Sequence, residues 1–255
     1  MLQKCANFFL EHSQYKKAVN LLASAGQYET AVKLCSKHRV KITEELADGM
    51  TLPKSPPDGS NSTEEYQQRR HRLLMDIADI CEKQGSFHLA TKKYTQAGDK
   101  NLAMRSLLKS GDTEKIIFFA NVSRSKEIYV LAANYLQGLN WSEEPDLVKN
   151  IISFYSKAKA YDQLSNFFEA CSSVEIDEYR NYAKALKALK ESLKYANKMK
   201  SEAKDSRVEH LESRIETVKQ YVKVSSTHLL SHTCLGKCIF PFYRLWTCKS
   251  PIRKR

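Results

Sequence analysis

Apolar and small residues recur along this chain with two periods, four residues within short stretches and thirteen between them. QYKKAVNLL begins at Gln14 and QYETAVKLC at Gln27. With Ala18 and Ala31 as reference points, the same spacing returns at Ala90, Ala103 and Ile116. Four residues after each reference stands Leu22, Cys35, Tyr94, Leu107 or Ala120, and five before it Ser13, Gly26, Gly85, Gly98 or Gly111. Residues four apart share a helix face, so each pair predicts one buried stripe. Glycine suits the left-handed turn that ends a helix, and Asp99 and Asp112 follow as N-caps. Each unit is thus one short helix and one tight turn. A ten-residue helix is marginal alone in water, so these ten positions are read as repeat-packing residues of a stacked array. Tyr15, Tyr28, Phe87 and Tyr161 are read as inter-helix packing in the same array.

The same reasoning places three helices in residues 2–38 and a partial one in 43–50. A longer helix runs from Thr63 to Gln84, with Leu73, Leu74, Ile77, Ala78 and Cys81 on one stripe. Three regular units fill Gly85 to Asn121, followed by helices at Lys126–Gln137, about Asp146–Ala158 and Tyr161–Cys171. Two longer helices are expected at 176–199 and 205–223. Tyr182, Leu186, Leu189, Leu193 and Ala196 on the first, and Val208, Leu211, Ile215, Val218 and Val222 on the second, step as heptad seams and predict an antiparallel hairpin. The expected fold class is all-α, a solenoid of short helical hairpins of tetratricopeptide type, ending in that longer hairpin and an irregular basic tail. The expected divisions are repeats over 1–50, a flexible Pro- and Ser-rich loop over 51–63, repeats over 64–172, the long hairpin over 173–224 and a disordered or divergent basic tail over 225–255.

Charge changes the picture only at the end. The chain carries a net +12, yet residues 225–255 hold six basic residues and no acidic one. The smaller surplus on the main body reads as a solvated face, without a basic face interleaved with stacking aromatics. No secretory leader and no run of ~20 apolar residues is visible, which predicts a cytosolic chain with reduced thiols. Cys5, Cys35, Cys81 and Cys171 are expected on apolar faces, and the sequons at Asn61, Asn121 and Asn140 are chance matches.

Candidate chemistry is sparse. The sequence has no phosphate loop, dinucleotide fingerprint, nucleophile elbow or HExxH helix, so no catalytic residue and no cofactor is expected. In the tail, His228, His232, Cys234 and Cys238 could supply zinc ligands, but their spacing is crowded and lacks the gap of a finger. The bland reading is a spliced or read-through terminus; a basic, aromatic membrane-surface anchor is a further one.

Three stretches carry a resemblance: LLASAGQYETAVKLCSKHRVKITEELADGMT, the run from RHRLLMDIADICEKQGSFHLA to FFANVSR, and KEIYVLAANYLQ. They are similar to the C-terminal tetratricopeptide-like region of the one-hundred-and-forty-kilodalton subunit of intraflagellar transport complex A. The resemblance covers about residues 1–222, nearly all of the chain except the tail. It implies a non-enzymatic scaffold with other complex A subunits as partners, and no nucleic acid. It further implies retrograde ciliary transport, cilium assembly and import of ciliary proteins, with an indirect link to membrane cargo. The implied location is cytoplasm, cilium, axoneme and basal body. The family's propellers and earlier repeats are not in this chain, which reads as a fragment or truncated isoform; Leu2, Phe8 and Phe9 would then once have faced an upstream repeat. Two alternatives are a coat or sorting-adaptor solenoid of another trafficking pathway, and a nucleic-acid or zinc module centred on the tail.

Overall fold

The structure, a computed structural model, describes residues 2–56, 63–200 and 202–229. Among them are thirteen helices and no strand. They fall into two compact units divided between Ser123 and Arg124. The first holds α1 (Leu2–Glu11), α2 (Tyr15–Ser24), α3 (Tyr28–Lys37), α4 (Glu44–Gly49), α5 (Glu64–Lys83), α6 (Phe87–Ala97), α7 (Lys100–Ser110) and α8 (Thr113–Ser123). The second holds α9 (Lys126–Gln137), α10 (Pro145–Ala158), α11 (Tyr161–Asp177), α12 (Tyr182–Ala196) and α13 (Lys204–Leu229). Within each unit a helix packs mainly on its neighbours in sequence: α1 on α2, α2 on α3, α5 on α6, α6 on α7, and later α9 on α10, α11 on α12, α12 on α13. The all-α, tetratricopeptide-like array that the periodicity predicts is the fold.

Left-handed turns set this pattern. Ser13, Gly26, Gly85, Gly98 and Gly111 all have positive φ, between 56° and 92°. So do Arg39 and Arg124, at 52° and 51°, which continue the same thirteen-residue register. After Ser13, Gly26, Arg39, Gly85 and Gly98 the next N–H reaches back to the carbonyl five positions earlier. Gln27 donates to Leu22 (2.9 Å), Ser86 to Cys81 (2.8 Å) and Asp99 to Tyr94 (3.1 Å). These bonds satisfy carbonyls that a helix end leaves open. Asp99 then caps the following helix at once, its Oδ1 accepting from the Leu102 N–H at 2.9 Å. Two residues therefore end one helix and begin the next, which forces consecutive helices against each other.

The first core gathers Leu22, Val32, Cys35, Ile42, Met50, Leu73, Ile77, Cys81 and Tyr94. Each large aliphatic side chain buried there contributes about 1.5–3 kcal/mol. The link between α3 and α4 is fastened by Gln84, whose Oε1 accepts from Ile42 N–H (2.9 Å) and whose Nε2 donates to the Val40 carbonyl (2.8 Å). Thr63 caps α5 through its Oγ1, as the sequence predicts. Of the predicted loop 51–63, residues 57–62 lie outside the described residues. The part before them lies along α5: Tyr66 Oη donates to Pro53 O, Gln67 Nε2 to Lys54 O and Arg70 Nε to Leu52 O.

Several boundaries differ from the sequence reading. α11 continues past Cys171 to Asp177, because Ser172 and Glu175 are still buried on its inner face. α12 begins at Tyr182 rather than at 176. Arg180 takes the left-handed conformation (φ 53°) and Asn181 caps the new helix by accepting from Lys184 N–H at 3.1 Å. α13 runs on to Leu229, into the stretch read as tail. The seam residues Leu189, Leu211, Ile215 and Val218 do pack together, with Tyr182, Leu186, Val208 and Val222 at the margin. But α12 is buried on a second side as well, where Ser192 Oγ donates to the Ser165 carbonyl on α11 at 2.8 Å. The expected hairpin is thus one side of a three-helix packing. Cys5, expected on an apolar face, is exposed, whereas Cys35, Cys81 and Cys171 are buried.

A methyl group at Gly98 would meet nothing within 4 Å, so only the backbone resists substitution there. Gly98→Ala is expected to cost about 1–2 kcal/mol, the left-handed penalty of a side chain. Arg39→Gly relieves the same penalty and is expected to gain up to ~1 kcal/mol, less the added freedom of glycine in the unfolded chain. Chemical denaturation of both variants checks the pair of opposite signs.

Candidate interaction surfaces

The ten positions picked out by the thirteen-residue spacing are all buried: Ala18, Leu22, Ala31, Cys35, Ala90, Tyr94, Ala103, Leu107, Ile116 and Ala120. Tyr94 adds a polar tip, donating from Oη to Asp79 Oδ1 at 2.5 Å, with Glu82 Oε2 at 3.2 Å. Burial and these carboxylates push its ionisation well above the ordinary range, so it acts as a donor between α6 and α5. Tyr15 stacks on His38 with ring centres 3.7 Å apart, and Tyr161 on Tyr195 at 6.2 Å.

Two polar fasteners escape sequence reasoning. Lys93 on α6 has 0% exposure, and its Nζ donates to Asp48 Oδ1 (2.7 Å), Thr51 Oγ1 (2.8 Å) and the Ala47 carbonyl (3.1 Å). It ties the short α4 to the array, with Lys92 pairing Glu44 at 2.6 Å outside it. In the second unit Glu169 on α11 receives Arg207, Arg214 and, at 3.2 Å, His210 from α13. Burial pushes the Glu169 carboxyl up, but Arg214 and Arg207 outweigh it and hold it below its ordinary value. No sequence periodicity flags such contacts, since each joins residues about 40 or more positions apart.

The open surface offers shape and charge rather than reactive groups. A groove of about 530 Å³ runs beside the start of α2, lined by Ser13, Gln14, Tyr15, Lys16, Lys17, Val40, Lys41 and Thr43. A cleft of about 370 Å³ in the second unit is lined by Ile176, Arg180, Tyr182, Arg214, Thr217, Val218 and Tyr221. Phe8 and Leu2 on α1, and Phe118 and Val122 on α8, are exposed apolar side chains. Burial pushes the thiols of Cys35 and Cys81 up to about 11 and Cys171 up to about 12, which suppresses thiolate chemistry. Among the described residues no three His, Cys, Asp or Glu side chains are grouped to hold a metal ion. Of the tail candidates, His228 is in the last turn of α13, and its side chain, with His232, Cys234 and Cys238, lies outside the described residues. No described helix is long and apolar enough to cross a membrane.

The Lys93 site generates a pH prediction. Its hydrogen bond holds the Asp48 carboxyl below the ordinary 3.8. Asp48→Asn is expected to cost about 1–2 kcal/mol, less than for a fully buried pair because Asp48 is half exposed. Since the folded value is depressed, the contribution is complete above about pH 4 and fades as pH falls through that value. Denaturation of wild type and Asp48→Asn between about pH 7 and about pH 2.5 should show the difference shrinking. A difference that stays constant contradicts the assignment.

Two family models match the chain in sequence order. The tetratricopeptide (TPR) domain of intraflagellar transport proteins 140 and 172 covers residues 1–154, from α1 into α10. The C-terminal TPR domain of intraflagellar transport protein 140 covers residues 162–233, the span of α11 to α13. Tetratricopeptide domains are as a class protein-interaction modules rather than catalysts, and this family is one of ciliary transport subunits. The first match alone spans more than half of the chain, and the second continues it without a change of family. The chain therefore belongs to the intraflagellar transport protein 140 family, subunits of intraflagellar transport complex A, and corresponds to its C-terminal tetratricopeptide region.

Proposed function

We propose that this chain is a non-enzymatic scaffold of the intraflagellar transport A particle, holding other subunits of that complex along its helical arrays. The observation that carries the reading is the pair of consecutive family matches over helices that pack mainly on their sequence neighbours. An array of that kind is quasi-one-dimensional and presents long surfaces to partner segments. In this reading the scaffold supports retrograde transport, cilium assembly and the import of ciliary proteins. It works in the cytoplasm, along the axoneme and at the basal body, and reaches membrane cargo through other subunits. The buried repeat positions hold the array together, and partners read its exposed faces.

The test is to express the tagged chain in ciliated cells beside a version ending at Val224, and to identify stoichiometric partners. Recovery of complex A subunits with both versions is expected, which assigns assembly to the repeats. Recovery of a vesicle coat instead, or of complex A subunits with neither version, contradicts the proposal.

A further inference from the structure

Residues 1–224 carry a net charge of +6, and that surplus is not evenly spread. Residues 182–200, which are α12 and its exit, hold six lysines and one acid, Glu191. A net +5 is therefore concentrated in one short span. The two longest helices mix their signs: α5 sets Glu64, Glu65, Asp76 and Asp79 among its arginines, and α13 alternates Glu209, Glu212 and Glu216 with Arg207 and Arg214, whereas α11 carries only acids.

The packing decides where those lysines point. α12 is covered by α11 at Ser192 and by α13 at Leu189 and Ala196, and Ala188 is buried as well. The exposed lysines are Lys187, Lys190 and Lys194, spaced by three and four residues and so aligned on one face of α12, and Lys198 and Lys200 just beyond its last residue. From Lys187 to Lys194 the helical part of the row is about 10 Å long, and Lys198 extends it past the helix end. Like charges at this spacing repel along a helix. Lys194 meets Glu191 at 3.0 Å. Lys184, off this row, instead turns toward Glu175, with 3.9 Å between charged atoms.

The row is also held in place. Lys198 lies over the rings of Tyr195 and Tyr161, 5.2 and 5.8 Å from their centres, and Lys194 lies 5.6 Å from the centre of Tyr195. Tyr195 in turn stacks on Phe168 with an angle of 4° between ring planes. The sequence hides this basic and aromatic surface because Tyr161 and Phe168 come from α11. The rings are only partly exposed at most and already stacked on one another, so they offer no free faces to nucleic-acid bases.

We propose that the exposed face of α12 is a docking surface for an acid-rich helical segment of a partner protein, whose carboxylates at three- and four-residue spacing pair with the Lys187, Lys190, Lys194 and Lys198 row. The inference rests on the scaffold reading only in expecting a protein occupant.

The test uses the full chain and a fluorescein-labelled helical peptide of glutamate, alanine and leucine with glutamates every three to four residues. Fluorescence anisotropy at near-physiological salt is expected to show saturable binding that weakens at least about tenfold in the variant Lys187→Glu, Lys190→Glu, Lys194→Glu. Glu191→Gln, which removes the one acid from the row, is expected to tighten binding about threefold, a gain that misfolding cannot imitate. The variant Lys16→Glu, Lys17→Glu, Lys41→Glu alters the rival basic groove beside α2 and is expected to stay within about twofold of wild type. Equal loss in both triple variants, or no change in the α12 triple, overturns the proposal. So does binding of phosphatidylserine vesicles or single-stranded DNA through the α12 row in preference to the peptide. Because the assay is independent of complex A, its failure is distinguishable from failure of the scaffold reading.

Discussion

One backbone constraint organises the molecule: at many helix ends a residue turns left-handed, and after Ser13, Gly26, Arg39, Gly85, Gly98 and Lys159 the next N–H closes onto the carbonyl five positions back. That device satisfies a carbonyl that the helix end would leave open, and at most of these sites only two or three residues separate the helices. A chain reversed so sharply has no room to separate its helices. Each ten- or eleven-residue helix, too short to persist alone, is laid against its neighbour before any long-range contact is made. The side chains then need only be small where helices meet, as at Ala90 and Ala103, and apolar one turn further on, as at Tyr94 and Leu107.

Polar groups fix what apolar packing leaves loose. α4 is six residues long and buries little, and Lys93 compensates by binding its last turn from across the array. Among the described side chains of α13, Leu211, Ile215 and Val218 are buried in the core with α12, and Glu169 anchors the helix through Arg207, His210 and Arg214. α3 is tied to α5 by Arg69 and Glu29, at 2.5 and 3.0 Å. These are ties between helices of an array rather than a reactive centre. They fit a tetratricopeptide-type array, a class of domain that is generally non-catalytic.

What is legible in the sequence follows from the same physics. Glycine advertises a left-handed turn, so the register through Gly26, Gly85, Gly98 and Gly111 can be read directly. Arg39, Arg124, Lys159 and Arg180 adopt that conformation too, and a basic side chain gives no sign of it. A cation does suit a helix C-terminus, which partly offsets the strain. Without a sign at Arg180 the sequence places the start of α12 six residues early, and the seam on α12 reads as one-sided because Ala188 and Ser192 look neutral by hydrophobicity. Apolar periodicity carries no information about Lys93, Glu169 or the α12 row, each defined by partners on other helices. The resemblance drawn from the repeats does reach the family.

The central claim is that stability is local, passed from one helix to the next through the small buried positions. Hydrogen exchange on Ala103→Leu tests it most directly, because the added side chain wedges α6 from α7 where no space exists. The account predicts a loss of about 1–3 kcal/mol, with protection falling in α5 to α8 and unchanged in α1 and α2 of the same unit. Equal loss of protection from Leu2 to Ser123 would mean a single cooperative globule and would contradict it.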